Sequence, residues 1–170
     1  WLSDRQLPTP ALTWQVKDRK AAGGIMITAS HNPPEYNGLK FKAPYGGSAN
    51  PEIVAEIEKY VTKLEAERRH FSKIPLTNAI EYFSPQESYF NHVKAILDKD
   101  LLANFKGKVV FDVMHGSASG YAAALAAEYG LELTEIRNEY NPSFGGVNPE
   151  PIEKNLAYLK DYIANHRPVL

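Results

Sequence analysis

Apolar and polar positions follow two periods along this chain, which predicts strands interleaved with helices. Short apolar runs bounded by turn residues predict strands at 25–27, 39–42, 80–83, 108–114 and 131–136. A helical period predicts helices at 11–20, from 51 onward, at 85–97, 121–129 and 152–165. Alternating strands and helices indicate α/β layers with mainly parallel strands, and the pattern favours two such units in series.

The predicted helices carry apolar stripes that we expect to face a core. The second helix begins with Asn50 as N-cap and Pro51 at its first position. Its stripe, and that of the helix after it, comprise Ile53, Ile57, Tyr60, Val61 and Leu64, then Tyr89, Val93, Ile96 and Leu97. The charged segment 99–108 indicates a boundary, and we predict domains at residues 1–103 and 104–170.

Composition excludes several classes of function. The 19 basic and 20 acidic side chains give a net charge of −1, so there is no electrostatic case for nucleic acid or a membrane as partner. The absence of cysteine excludes disulfides and thiolate metal sites, and it favours a cytoplasmic protein. The chain begins at Trp1 and ends in an apolar run, from which we expect a longer parent protein.

The segment Thr28–Pro33, TASHNP, is the first candidate site. Ser30 follows the predicted strand at 25–27, and ligands in α/β layers usually bind where strands end. Asn32 precedes a proline, which restricts its backbone, and a stiff loop with a hydroxyl suits covalent catalysis. Lys40 returns on the next strand and could reach the same pocket. The spacing alone also allows a polar turn and a solvated lysine.

The surroundings of Ser30 differ from those of a serine hydrolase. The G-x-S-x-G pattern is absent, because Ala118 takes the central place in Gly116–Gly120. His31 is adjacent in sequence and therefore poorly placed as a base. A phosphoryl carrier needs cations and hydrogen-bond donors around phosphate oxygens, together with a metal ion. Four residues suit that role: Thr28, His31, Asn32 and Lys40.

A second candidate is the loop His115–Gly120, between a strand and a helix. Its small residues could let backbone amides approach a phosphate, although a tight, closely packed turn is the favoured alternative. Asp112 could be a metal ligand, but it has no acidic neighbour in sequence.

Taken together, these segments resemble the α-D-phosphohexomutase family, which includes phosphoglucomutases and phosphomannomutases. The stretch Gly23–Pro33, followed by Asn37–Phe41, resembles the phosphoserine loop of that family. Further similarity lies in Leu7–Pro10, in Val109–Asp112 with Gly116, and in Asn148–Pro151. The resemblance implies two consecutive three-layer α/β/α domains with mixed, mainly parallel sheets, both truncated.

The resemblance also implies roles for individual residues. Ser30 corresponds to the serine that is phosphorylated in the resting enzyme, and its phosphate supplies an oxygen to Mg²⁺. Lys40 matches a lysine implicated in general acid/base work, and His31 lines the same pocket. The implied reaction interconverts hexose 1-phosphate and hexose 6-phosphate through a bisphosphorylated sugar, with hexose 1,6-bisphosphate as activator and intermediate.

The remaining machinery of the family is expected outside this sequence. The first strand would precede Trp1, and the aspartate-rich metal loop and two further domains would follow Leu170. We therefore expect the remaining domains of the parent chain as partners, and little or no mutase activity from residues 1–170 alone. The alternative is a non-catalytic module that binds phosphosugars.

Overall fold

The computed structural model describes residues 1–67 and 80–166. Its strands are β1 (Leu2–Ser3), β2 (Gly24–Ile27), β3 (Leu39–Lys42), β4 (Tyr82–Phe83), β5 (Lys108–Asp112) and β6 (Glu132–Ile136). Its helices are α1 (Thr9–Asp18), α2 (Pro51–Ala66), α3 (Gln86–Ile96), α4 (Lys99–Asn104), α5 (Tyr121–Glu128) and α6 (Ala157–His166), with 3-10 turns at Phe144–Gly146 and Glu153–Asn155. The predicted α/β class is confirmed, and β3 has the predicted bounds.

The strands of the described chain form three pairs. β1 lies parallel to β4, with Leu2 opposite Tyr82. β2 pairs with β3. β5 lies parallel to β6 over five residue pairs, from Lys108 opposite Glu132 to Asp112 opposite Ile136. The two pairs with an assigned direction are parallel, as the alternation of strands and helices predicted.

The chain divides into two compact units. One contains Trp1–Met26 and Leu39–Pro85, and the other contains Ile27–Gly38 and the chain from Gln86 onward. The boundary that we predicted between residues 103 and 104 stays a prediction. No helix of the described residues is both long and apolar enough to cross a membrane.

The core of the first unit includes one face of α1. Ala11 and Val16 are buried on this helix, and Gln15 between them is 2% exposed. A buried amide needs a partner, and the Gln15 side chain donates to the Pro85 carbonyl at 3.3 Å. Arg19 then donates to the Gln15 side chain at 2.8 Å, so a polar chain ties α1 to the end of this unit.

The core of the second unit lies between α3, α5 and the end of β6. Tyr121 and Ala126 of α5 are buried, as is Ile136. The rings of Tyr89 and Phe90 meet Tyr121 edge-on, at centroid distances of 6.3 and 5.6 Å. Edge-to-face aromatic pairs of this kind add to the stabilisation from buried area.

The prediction of a buried apolar stripe was wrong for α2 and wrong in part for α3. No residue of α2 is buried, and Tyr60 on its apolar stripe is 62% exposed. On α3, Ile96 is 74% exposed. Periodicity identifies the face that a helix would bury, but burial also needs a facing layer. α3 has such a layer at Tyr89, whose ring packs against Tyr121 of α5, whereas no residue of α2 is buried in the described chain.

The charged segment 99–108 also differs from the prediction, because it contains helix α4. The Asp98 side chain accepts a hydrogen bond from the Leu101 amide at 2.9 Å and caps this helix. The signal was an aspartate ahead of Leu101 and Leu102, which the surrounding charges obscured.

Candidate active site

The loop between β2 and β3 holds Ser30 and is closed by backbone hydrogen bonds. At its base the Thr28 amide donates to the Gly38 carbonyl at 2.9 Å. Within it, the Asn32 amide donates to the Ala29 carbonyl, and the Tyr36 amide donates to the Pro33 carbonyl, both at 3.1 Å. The loop is therefore a pair of turns on a closed base.

Ser30 itself has a left-handed backbone, with φ of 58°. This conformation costs an L-residue about 1–2 kcal/mol, so it needs local support. The Ser30 amide donates to the Thr28 side-chain oxygen at 3.0 Å, and a bond of this kind contributes about 1 kcal/mol. Five other non-glycine residues of the described chain also have positive φ, so the backbone angle alone does not single out Ser30. Its exposed position at the end of β2 does.

Two glycines let α1 and β3 come close to the start of β2, the strand that leads to the Ser30 loop. A Cβ on Gly24 would lie 2.6 Å from Cγ2 of Val16 on α1. A Cβ on Gly23 would lie 3.0 Å from the carbonyl oxygen of Lys42 on β3. The first contact is closer than a Cβ allows and the second would need the Lys42 backbone to shift, so α1 packs closely on β2 and β3 lies close to the residue before it.

Lys40 lies on β3, the strand that pairs with β2, and it is exposed. His31 is also exposed and directly follows Ser30 in the loop. The pairing thus places Lys40 on the strand next to the one that leads to Ser30, as the spacing predicted. The catalytic roles of Ser30, His31 and Lys40 stay predictions.

Alternating apolar and polar residues at 39–42 predict a strand with one buried face, but the burial of β3 differs. Leu39 is 72% exposed, whereas Lys42 is only 7% exposed. The Lys42 ammonium donates to the Ser48 hydroxyl at 3.1 Å, which provides a buried cation with a polar partner. Lys40 and Lys42 share a strand face by their spacing, yet one is exposed and the other is structural.

The described residues do not form a metal site. In residues 1–67 and 80–166, no three histidine, aspartate or glutamate side chains are grouped to hold a metal ion. Ser30, the one metal ligand that we predicted here, offers a single oxygen, and Mg²⁺ requires near-octahedral coordination.

In the second candidate loop, a carboxylate accepts hydrogen bonds from backbone amides at the start of α5. The Glu135 side chain accepts hydrogen bonds from the Gly120 amide at 2.8 Å and from the Ala123 amide at 3.1 Å. An anion from β6 therefore already bonds the helix end that could have faced a phosphate. The geometry favours the tight turn that we gave as the alternative.

Asp112 is bonded within the protein. Its carboxylate accepts two hydrogen bonds from the Arg137 guanidinium, one of them 2.8 Å long, and one from the Met114 amide at 3.1 Å. Asp112 and Arg137 are 25 residues apart, so sequence reasoning missed the pair. It also missed the Thr28–Ser30 bond, for which a hydroxyl two residues before a loop residue was an available signal.

Comparisons with known proteins identify the family. Residues 2–68 match the family model described as phosphoglucomutase/phosphomannomutase, alpha/beta/alpha domain I, and residues 87–170 match the model for domain II. The chain is 32% identical to a phosphoglucomutase/phosphomannomutase of Thermococcus kodakarensis, over 88% of this chain and 32% of that protein. It is 35% identical to a phosphoglucomutase of Schizosaccharomyces pombe, over 93% of this chain and 32% of that protein.

A solved structure is similar over nearly all of the chain. It comes from Thermus thermophilus and is assigned to the phosphomannomutases, with a TM-score of 0.84 and 38% identity over 95% of this chain and 36% of that one. This chain thus spans about a third of the length of the relatives it matches. With both domain models matched in order along the sequence, the chain belongs to the phosphoglucomutase/phosphomannomutase family.

Proposed function

We propose that the chain is part of an intramolecular phosphotransferase that interconverts hexose 1-phosphate and hexose 6-phosphate. The observation that carries this proposal is the exposed Ser30, held at the end of β2 within the segment that matches domain I of the family. The relatives named as phosphoglucomutases and phosphomannomutases support hexose phosphates as the substrate class.

In the proposed reaction, Ser30 carries the phosphoryl group. A hydroxyl oxygen of the sugar phosphate attacks the phosphorus of phospho-Ser30. The bond from phosphorus to Oγ breaks, and its electron pair goes to Oγ. The attacking hydroxyl loses its proton to a base, and Lys40 is the proposed acid/base group. The bisphosphorylated sugar then reverses its orientation in the site and returns its other phosphoryl group to Ser30. His31 is proposed to line this pocket.

Mg²⁺ and a hexose 1,6-bisphosphate complete the proposal as cofactor and activator. Mg²⁺ would neutralise charge on the transferred group. The described residues contain no group of three histidine, aspartate or glutamate side chains that could hold the ion, and we propose that the ligands other than the Ser30 oxygen lie outside residues 1–170. We also propose a cytoplasmic location and the remaining domains of a longer chain as partners, as the sequence led us to expect.

Intact-mass analysis tests the carrier role of Ser30. The complete polypeptide that contains this sequence is incubated with a hexose 1,6-bisphosphate, and the site of any phosphate adduct is mapped by peptide sequencing. We expect one adduct on Ser30, none in Ser30→Ala, and an unchanged adduct in Ser143→Ala, which alters an exposed serine of the loop that follows β6.

The same measurement separates the alternatives. A wild-type protein that binds hexose phosphates but never acquires the adduct would be the non-catalytic binding module. Labelling of Ser30 by a fluorophosphonate would instead indicate a serine hydrolase, and we expect no labelling. Residues 1–170 alone should show little or no mutase turnover, which a coupled assay of sugar phosphate isomerisation can measure.

A further inference from the structure

We propose that Thr28 is a positioning residue that fixes the direction of the Ser30 side chain for phosphoryl transfer. This inference rests on the proposed function of Ser30 and extends it to a second side chain. Its basis is the hydrogen bond from the Ser30 amide to Thr28 Oγ1, 3.0 Å long, at a serine with φ of 58°.

Thr28 is well anchored for this task. Its own amide donates to the Gly38 carbonyl at 2.9 Å, so its backbone belongs to the closed base of the loop. Threonine is branched at Cβ, which restricts χ1 and therefore the direction of Oγ1. Thr28 is half-buried, whereas Ser30 is exposed. Thr28, which is anchored by its own backbone, thus holds the backbone of the exposed Ser30 through the hydrogen bond to the Ser30 amide.

The hydrogen bond supports the backbone conformation that sets the direction of the Ser30 Cα–Cβ bond. The Cα–Cβ direction follows from the backbone angles, and a change from the left-handed to the extended region would swing Oγ away from its present direction. The bond also engages the Ser30 amide, so this amide does not turn toward a phosphoryl group on its own Oγ. Transfer depends on close alignment of the reacting atoms, and a small displacement lowers the rate strongly.

A set of substitutions at Thr28 in the complete polypeptide tests the inference. Thr28→Val removes the acceptor and keeps the shape, while Thr28→Ser keeps the hydroxyl. Thr28→Asn restores an acceptor through a different group, because asparagine side chains bond amides two residues later. Thr62→Val is the matched control, since Thr62 is exposed on α2. For each variant we would measure kcat, KM and the rate of phosphate loading on Ser30.

We expect Thr28→Val to lower kcat by about fivefold, the factor that corresponds to the loss of one hydrogen bond of about 1 kcal/mol, with KM changed by less than about threefold. Thr28→Ser and Thr62→Val should stay within about threefold of wild type, because a small shift in geometry costs less than a lost acceptor. A purely structural threonine would instead change thermal stability and leave the kcat of the folded protein unchanged. Equal kcat in Thr28→Val and wild type, or equal losses in Thr28→Val and Thr28→Ser, would overturn the inference.

Two further comparisons keep the test decisive. If Thr28→Val does not fold, Thr28→Asn is compared with Thr28→Ala: higher kcat in the asparagine variant supports the inference, and equal kcat overturns it. If wild type acquires no phosphate on Ser30, the proposed function fails and this inference fails with it. If wild type and Thr28→Val are loaded at the same rate and turn over equally, only the role of Thr28 is refuted.

Discussion

The ion pair between Asp112 and Arg137 should stabilise the second unit far more than an exposed pair on the same two strands. Asp112 ends β5 and Arg137 directly follows β6, and their side chains are 4% and 10% exposed. Arg137 also donates to the Asn155 carbonyl at 3.4 Å and lies over the Tyr158 ring at 5.7 Å. The pair therefore connects the strand ends to the segment that leads into α6.

The burial of the two side chains determines the expected magnitude. Arg137→Met leaves the Asp112 carboxylate buried without its guanidinium, which costs about 3–5 kcal/mol. Asp112→Asn leaves the guanidinium without a counter-charge and should cost a similar amount. At the other end of the strand pair, Lys108 and Glu132 form an ion pair of 2.9 Å with side chains 58% and 65% exposed. Removing that pair should cost about 0–1 kcal/mol.

Amide hydrogen exchange followed by mass spectrometry measures this difference locally, which suits a chain of more than one unit. Peptides that cover β5 and β6 should exchange much faster in Arg137→Met and Asp112→Asn than in Lys108→Met. In the double variant Asp112→Asn/Arg137→Met, the loss of protection should be well below the sum of the two single losses. Each single change leaves the other charge buried without its partner, and the double change does not. Equal protection in Arg137→Met and Lys108→Met would refute the reasoning.

Three further predictions concern the site and its supports. If Lys40 is the acid/base group, Lys40→Met in the complete polypeptide should lower kcat by about 10²-fold or more, as measured by steady-state kinetics. A near-wild-type rate would show that Lys40 is only a strand residue. Glu135→Gln should destabilise the second unit by about 1–2 kcal/mol in denaturant unfolding, because it weakens the charged cap on the first amides of α5; an unchanged midpoint would contradict this. Gly24→Val should destabilise by about 1–3 kcal/mol because its side chain would collide with Val16, whereas the exposed Ala22→Val should change the melting temperature little; equal shifts would argue against tight packing at Gly24.

Local chemistry made part of the fold predictable. Asn50 caps α2 through a bond from the Ile53 amide of 2.9 Å, as the Asn-Pro pair predicted. The end of α5 was predictable in the same way, because a glycine follows it, and Gly130 has a left-handed backbone with φ of 65°. In both cases the deciding groups lie within a few residues of one another, so the sequence pattern contains them.

The candidate site was predictable in the same way, up to a point. The strand before Ser30, the proline-restricted loop and the strand carrying Lys40 are all local patterns, and the structure contains each of them. The left-handed backbone of Ser30 and its bond to Thr28 are also local, but several backbone conformations suit the same six residues. Packing of β2 between α1 and β3 determines which strand geometry the loop starts from.

By itself, the sequence determined the order of strands and helices, the caps of α2 and the loop that presents Ser30, because each depends on neighbours along the chain. Only the tertiary structure decided which carboxylate meets which cation, and which apolar face is covered. Glu135 caps a helix that begins 14 residues earlier in the chain, and Asp112 binds Arg137 across two strands. No residue on the apolar stripe of α2 is buried in the described chain despite its clear period. Such outcomes depend on the element that lies opposite in space, and periodicity within one segment carries no record of that element.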